Sequence, residues 1–162
     1  MFSRRVWMFS LVLSSLAGLA AAPVEALASG PRQYYSSWQK HPTAAYHYRS
    51  YYYKPTPTYS GYKHHYVVYH PQRPQHVYFY NPYKKQYWGR CPVGTNGQGR
   101  YSLLAEKDRS GSLKEIPEAA FPAPTRVPPI PESTDNTPLD LPPDDLPDNQ
   151  TPGLTVPPPP SE

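Results

Sequence analysis

Residues 65–80 read HYVVYHPQRPQHVYFY and carry the clearest strand signal in the chain. Two runs of β-branched and aromatic residues, 65–69 and 76–80, flank a Pro-rich loop at 71–75. Such runs favour strands, and Pro with polar neighbours favours a turn, so the stretch predicts an antiparallel hairpin. With a five-residue loop, Val68 pairs with Tyr78 and Tyr66 pairs with Tyr80.

The hairpin pattern continues toward the C-terminus. Residues 81–85 have turn chemistry, a third strand is predicted at 86–90, and Asn96-Gly97 is a hairpin signal before a fourth at 100–104. A second five-residue turn would place Tyr80 opposite Gln86, Phe79 opposite Tyr87 and Tyr78 opposite Trp88. The predicted fold class is a mostly disordered, low-complexity chain with one small all-β module, a three- to four-stranded antiparallel meander.

Composition limits the size of any core. The chain has 162 residues, of which 24 are Pro and 16 are Tyr, whereas Leu, Ile, Val and Phe together number 27. Too few aliphatic side chains remain for the core of a large enzyme. Every acid beyond residue 28 lies in a Pro-containing C-terminal region, where nothing would hold a pair of catalytic carboxylates at a fixed distance. We therefore expect no enzymatic activity and no cofactor.

Charge is strongly sorted along the sequence. The formal net charge is +4, yet no Asp or Glu occurs from Ala26 to Ala105, where Lys and Arg give a charge of about +10. From Glu106 to Glu162 acids exceed bases, with a charge of about −7. This asymmetry predicts a basic half that binds anions. The acidic half would compete with those anions for the same basic surface.

The first 28 residues resemble a signal peptide. Arg4 and Arg5 precede an apolar run at 6–22, and small residues at Ala26 and Ala28 fit cleavage before residue 29. A retained membrane anchor and a twin-arginine export signal are the alternatives. The predicted location is periplasmic, cell-envelope or extracellular, with no transmembrane span in the mature chain.

The remaining chain divides by composition into four segments. Residues 29–62 are predicted to be a basic, Tyr/His-rich disordered arm, and residues 63–105 the β module. Residues 106–121 form a linker with a short helical turn, since Ser112 and Glu115 have capping-box spacing. Residues 122–162 are an acidic, Pro-rich disordered tail.

The predicted meander has two aromatic faces. One gathers Val67, Tyr69, Val77 and Phe79 and is the natural core side. So short a chain is expected to cover only one face, which leaves the other as a candidate binding surface. That predicted surface consists of Tyr66, Tyr78, Tyr80, Trp88 and Arg90.

The segment from Tyr78 to Asn81, with Trp88 and Pro92, resembles the second half of a WW domain. The resemblance implies a three-stranded sheet that stacks prolines on an aromatic pair, in which Tyr80 and Trp88 would hold the stacking position. The chain also carries its own proline-rich ligand in the tail.

A second resemblance spans the join between the halves. The chain looks like a class of small exported bacterial proteins with no assigned function. These proteins have a Tyr-rich N-terminal part and an acidic, Pro-rich C-terminal part, and the resemblance rests on residues 87–90, 101–104, 113–117 and 144–147. The resemblance implies an exported location and this architecture, without a mechanism.

Single residues suggest two further sites. His70 and His76, opposed across the predicted hairpin, are weak candidates for metal ligands. The favoured interpretation is that both are solvated polar side chains that bind no metal. Cys91 is the only cysteine, which makes it a candidate for an intermolecular disulfide and a disulfide-linked homodimer.

These observations predict a non-enzymatic exported protein that binds an anionic envelope polymer or a proline-rich segment through its basic aromatic surface. The tail would compete intramolecularly. A nucleic-acid partner is disfavoured by the exported location. The alternatives are a structural envelope component that self-associates through the Tyr-rich arms and a weak His/Tyr metal-binding protein.

Overall fold

The hairpin predicted from residues 65–80 forms the middle of the sheet in the computed structural model, which describes residues 30–94 and 101–147. The predicted signal peptide, the predicted hairpin turn at Asn96-Gly97 and the last part of the tail lie outside the described residues. Seven antiparallel strands are seen in the described ranges: β1 (Gln33–Tyr35), β2 (Gln39–Lys40), β3 (His47–Tyr53), β4 (Lys63–Tyr69), β5 (His76–Asn81), β6 (Gln86–Pro92) and β7 (Ser102–Leu103).

The strands run in the order β1-β3-β4-β5-β6-β7, and β2 pairs with β3 beside β1. Single 3₁₀ turns follow at Glu106–Asp108, Leu113–Glu115 and Glu118–Ala120. No helix in the described ranges combines the length and the apolarity needed to cross a membrane.

The sheet is larger than the predicted three to four strands, because β1, β2 and β3 come from the segment expected to be a disordered arm. β3 pairs with β4 along its whole length, with Tyr51 opposite His65 and Tyr53 opposite Lys63. Tyr51 and Tyr53 are fully buried. Large tyrosine rings therefore supply the apolar area that aliphatic side chains supply in most cores.

The first hairpin has the predicted register, with Tyr66 opposite Tyr80 and Val68 opposite Tyr78. The second hairpin does not. Asn81 belongs to β5 and pairs with Gln86, so the turn is one residue shorter than expected. The Asn81 side-chain oxygen accepts hydrogen bonds from the Tyr83 and Lys84 amides, which closes this turn.

A β-bulge then interrupts the pairing of β5 with β6. Tyr80 pairs with Tyr87 and Phe79 pairs with Gly89, which leaves Trp88 as the extra residue. Because side chains alternate along a strand, Tyr87, which lies opposite Tyr80, and Trp88 belong to different cores. Gly89 is required here, because a Cβ at this position would overlap the ring of Tyr101.

Both faces of the sheet are covered, although the sequence predicts cover for one. We call the first the tail face, because residues 127–141 of the tail pack on it through Ile130 and Leu139. The sheet side of this core consists of Trp38, Tyr51, Tyr53, Val67, Val77, Phe79, Trp88 and Cys91, joined by Tyr101.

The opposite side is the linker face. Leu113, Ile116 and Phe121 of the linker pack on it, together with Leu104. The Ser112 hydroxyl accepts a hydrogen bond from the Lys114 amide at 3.3 Å and caps the short turn at Leu113–Glu115. The sheet side of this core consists of Tyr46, Tyr48, Tyr66, Val68, Tyr78, Tyr80 and Tyr87.

Ion pairs connect the acid-free half of the chain to the acidic half. They join Arg32 to Asp135 (2.5 Å), Lys63 to Glu132 (2.5 Å), Arg49 to Asp145 (2.6 Å) and Arg90 to Glu118. The charge sorting seen in the sequence is thus used within one molecule, where the acidic half covers the basic half.

Candidate functional site

The side chains of the predicted binding surface lie inside the protein. Their exposed fractions are 3% for Tyr66, 1% for Tyr78, 1% for Tyr80, 7% for Trp88 and 9% for Arg90. The linker covers the three tyrosines. The Arg90 guanidinium stacks on the ring of Phe121 at 4.1 Å and pairs with Glu118.

The shorter turn between β5 and β6 separates the aromatic pair implied by the WW resemblance, because it places Tyr87 rather than Gln86 opposite Tyr80. Tyr80 belongs to the core of the linker face, and Trp88 belongs to the core of the tail face. The two rings lie on opposite sides of the sheet and do not form a common proline-stacking position.

Elsewhere on the sheet, a proline-rich segment of the tail contacts Trp38. We call this place the Trp38 groove. Trp38, Val77, Cys91 and Val93 line its sheet side, and tail residues 141–146 line the other. The indole Nε1 of Trp38 donates a hydrogen bond to the main-chain carbonyl of Asp145 at 2.9 Å. An indole that offers an apolar ring and one N–H donor suits the carbonyl-rich, donor-poor backbone of a proline segment.

Arg49 completes the groove on β3. Its guanidinium lies 4.3 Å above the ring of Trp38 and binds both carboxylate oxygens of Asp145, at 3.0 and 2.6 Å. The Arg49 side chain is 3% exposed, whereas that of Asp145 is 57% exposed. A buried, oriented cation therefore faces an acid that reaches it from solvent, and the fork geometry favours a carboxylate ligand.

Trp38 is held in place by the start of the sheet. The Ser36 amide donates to the Ser50 carbonyl at 2.9 Å, and the Ser50 amide donates to the Ser36 hydroxyl at 2.8 Å. These bonds anchor the connection between β1 and β2, and the Trp38 ring packs edge-on against Tyr69 at 6.2 Å. Hydrogen bonds to β3 thus hold the connection that carries Trp38 against the sheet.

The tail fills the groove incompletely. A cavity of about 200 Å³ remains between the tail and the sheet, lined by Trp38, Val77 and Cys91 opposite Pro142 and Pro143. A more open recess of about 490 Å³ lies along Ser36, Trp38 and Arg49 beside Pro143. Space for further ligand atoms therefore remains on both sides of the indole.

Cys91 lies on the floor of the groove and is 4% exposed. Burial, followed by the charge of Asp144, raises the pKa of its thiol to about 12. The thiol is free and covered, which gives no support to the predicted intermolecular disulfide.

The two metal candidates, His70 and His76, both contact the ring of Tyr78, at 6.2 and 6.3 Å between centroids. The pairing of β4 with β5 ends at Tyr69 and Val77, one position short of His70 and His76, and on the other side of β5 His76 pairs with Pro92. In residues 30–94 and 101–147, no group of three or more His, Cys, Asp or Glu side chains is arranged to hold a metal ion.

Sequence reasoning did not identify Trp38, Arg49 and Asp145. Trp38 lies in the segment interpreted as a disordered arm, and Asp145 lies between prolines, where nothing local fixes its position. One signal was available: residues 141–147 place two acids directly after two prolines, and the acid-free segment contains a tryptophan and an arginine that suit them.

Comparison of the chain with protein-family models, with curated proteins and with solved structures gives no match.

Proposed function

We propose that this protein is an exported, non-enzymatic binding protein that recognises acidic proline-rich segments in the Trp38 groove. The observation that carries the proposal is the contact of residues 142–145 with the groove. There the Trp38 indole binds a main-chain carbonyl while Arg49 binds the carboxylate of the same residue, Asp145. The tail is the intramolecular occupant and competitor.

The contacts account for both parts of the specificity. The indole and the apolar side chains of Val77 and Val93 accept prolines, which bring a pre-ordered backbone to the groove. Arg49 adds the requirement for an acid, because an unpaired guanidinium in a covered site is costly. A neutral proline-rich segment is therefore expected to bind more weakly than an acidic one.

The tail is positioned to be displaced. A tethered segment competes at an effective concentration of about millimolar order, so an external ligand must bind tightly or the tail must be held weakly. The Asp145 side chain is 57% exposed and cavities lie beside Trp38, so that a ligand in solution is able to reach the contact. The tail would then keep the groove closed until a better ligand arrives.

A labelled peptide with the sequence LDLPPDDLP, residues 139–147 of the chain, tests the proposal by fluorescence anisotropy with the full-length protein. Asp145→Ala removes the carboxylate that holds the tail, and we expect this variant to bind the peptide about tenfold more tightly than wild type. Asp144→Ala is the matched control and should behave like wild type. In the Asp145→Ala background, Trp38→Phe should weaken binding, because phenylalanine lacks the N–H donor.

A peptide in which Asn replaces the third Asp, the position of Asp145, distinguishes the role of Arg49. It should bind Asp145→Ala more weakly than the acidic peptide does. Failure of Asp145→Ala to bind the acidic peptide, or equal binding of both peptides, would show that the groove is only a structural contact.

A further inference from the structure

A row of aromatic side chains lies open on the linker face, beyond the part that the linker covers. We call it the aromatic row. It is formed by Tyr34, Tyr52, Tyr62, His64 and Tyr83. Tyr34 is 39% exposed and Tyr83 is 58% exposed, while the other three are half-buried.

Strand pairing builds the row. Tyr34 on β1 lies opposite Tyr52 on β3, and Tyr52 lies opposite His64 on β4. Three aligned rings at the usual spacing between strands span about 10 Å. Because these positions are fixed by the sheet, the row is a rigid surface.

The rings contact one another continuously. Tyr34 stacks on Tyr52 with centroids 4.8 Å apart, and Tyr62 meets Tyr34 edge-on at 5.0 Å. His64 lies 6.0 Å from Tyr52 and 5.8 Å from Tyr83, and the Tyr83 hydroxyl accepts a hydrogen bond from the His64 amide. The result is one patch rather than scattered exposed side chains.

Exposed positive charge lies at the Tyr83 end of the row, where Lys84 and Lys85 occupy the same turn as Tyr83. Residues 26–105, which contain all five members, have no acid, and the tail acid Glu132 pairs with Lys63. The Lys54 ammonium lies 4.9 Å from the centre of the Tyr62 ring, but this side chain is 4% exposed. Burial lowers the pKa of His64, so at neutral pH the histidine is an uncharged ring within the row.

We infer that the aromatic row binds an anionic polysaccharide, a ligand class distinct from the proline-rich segments of the Trp38 groove. Sugar rings present apolar C–H faces and hydroxyl groups at their edges, and tyrosines present the matching combination of flat rings and phenol hydroxyls. Carboxylates on the polymer would pair with the exposed Lys84 and Lys85 at the Tyr83 end of the row. The row lies on the face opposite to the groove, so the two sites are able to act separately.

The test measures binding of the full-length protein to polygalacturonate, with neutral dextran and single-stranded DNA as comparison polymers. We expect Tyr34→Ala and Tyr83→Ala each to weaken polygalacturonate binding about tenfold, since a few exposed aromatic residues usually dominate such contacts. Tyr83→Phe keeps the ring and should retain most of the affinity. Leu103→Ala, at another exposed apolar position, should change nothing.

Added NaCl should weaken binding to polygalacturonate, because it screens the contacts between lysines and carboxylates. Asp145→Ala, which opens the groove, should leave this binding unchanged, so that failure of one site is distinguishable from failure of the other. Equal affinity for dextran, equal competition by DNA, or affinity that does not respond to the tyrosine substitutions would each overturn the assignment.

Discussion

At the scale of the residue, His65 shows how this core uses polar aromatic side chains in place of aliphatic ones. It is 3% exposed, its Nε2 lies 3.3 Å from the Tyr53 hydroxyl, and its ring packs edge-on against Trp88 at 5.5 Å. Burial, reinforced by the charges of His64, Lys63 and Lys84, lowers the pKa of His65 to about 3. The residue therefore packs as a neutral ring.

This pKa predicts that the protein loses stability in acid, beginning at a pH well above the range in which carboxyl groups titrate. As pH falls below about 6.5, His65 binds a proton in the unfolded chain but not in the folded chain, so the free energy of unfolding should fall from there toward pH 3. Urea unfolding at a series of pH values measures the slope. His65→Gln should have a shallower slope, and a slope equal to that of wild type would contradict the assignment.

At the scale of the element, the linker stabilises the sheet through a few side chains on very short turns. Leu113 is 1% exposed and lies in a three-residue 3₁₀ turn that cannot persist alone. Its role is to cover the tyrosines of the linker face, and the energy of that contact comes from burial rather than from helix formation.

Leu113→Ala should lower the free energy of unfolding by about 2 to 5 kcal/mol, because it leaves a cavity above the sheet. Leu103→Ala is the matched control: Leu103 is 41% exposed, and its substitution should change stability by at most about 0.5 kcal/mol. Chemical denaturation of both variants measures the difference. Similar losses in the two variants would mean that the linker is not a structural cover.

Elements differed in how far the sequence could predict them. The register of β4 and β5 follows from side-chain alternation and loop length, and the burial of Leu113, Ile116 and Phe121 follows from their isolated apolar character in a polar segment. The bulge at Trp88 has one local signal, the neighbouring Gly89, because a glycine inside a strand pattern often marks a bulge, but this signal does not fix the register. β1 to β3 were missed because their local composition is typical of low-complexity sequence, while the strand that stabilises them, β4, follows later in the chain.

The Trp38 groove was the least predictable feature. Trp38 and Asp145 are 107 positions apart, and their contact depends on the path of the whole tail across the sheet. Composition identified complementary charges and a proline-rich ligand within one chain, but the choice of face and of tryptophan required the fold.

At the scale of the whole molecule, tyrosine ionisation limits stability in alkali. Burial raises the pKa of Tyr66 to about 12 and raises the pKa values of Tyr51, Tyr53 and Tyr101 as well. A phenol held neutral in the folded state stabilises the protein fully below pH 10, and this contribution is lost as pH rises through the folded pKa.

We therefore expect the free energy of unfolding to be flat between about pH 7 and pH 9 and to fall steeply above pH 10, where tyrosines of the unfolded chain ionise. Thermal melts across this range measure the fall. In a pH titration, the ultraviolet absorbance of tyrosinate should rise at higher pH in the native protein than in the urea-unfolded protein. Coincident tyrosinate curves for native and unfolded protein would contradict this account of the core.

The path of the tail has a consequence for the order of assembly. Ribosomes release the N-terminal strands first, yet their tail face is covered only when Ile130, Leu139 and Asp145 have emerged. Until then a sheet of aromatic rings is open to other chains, which is the condition in which nascent proteins aggregate. Because most of its contacts join distant parts of the sequence, the chain should also fold slowly for its length. Residues 130–145, which are synthesised after all seven strands, thus complete the cover that protects the sheet from aggregation.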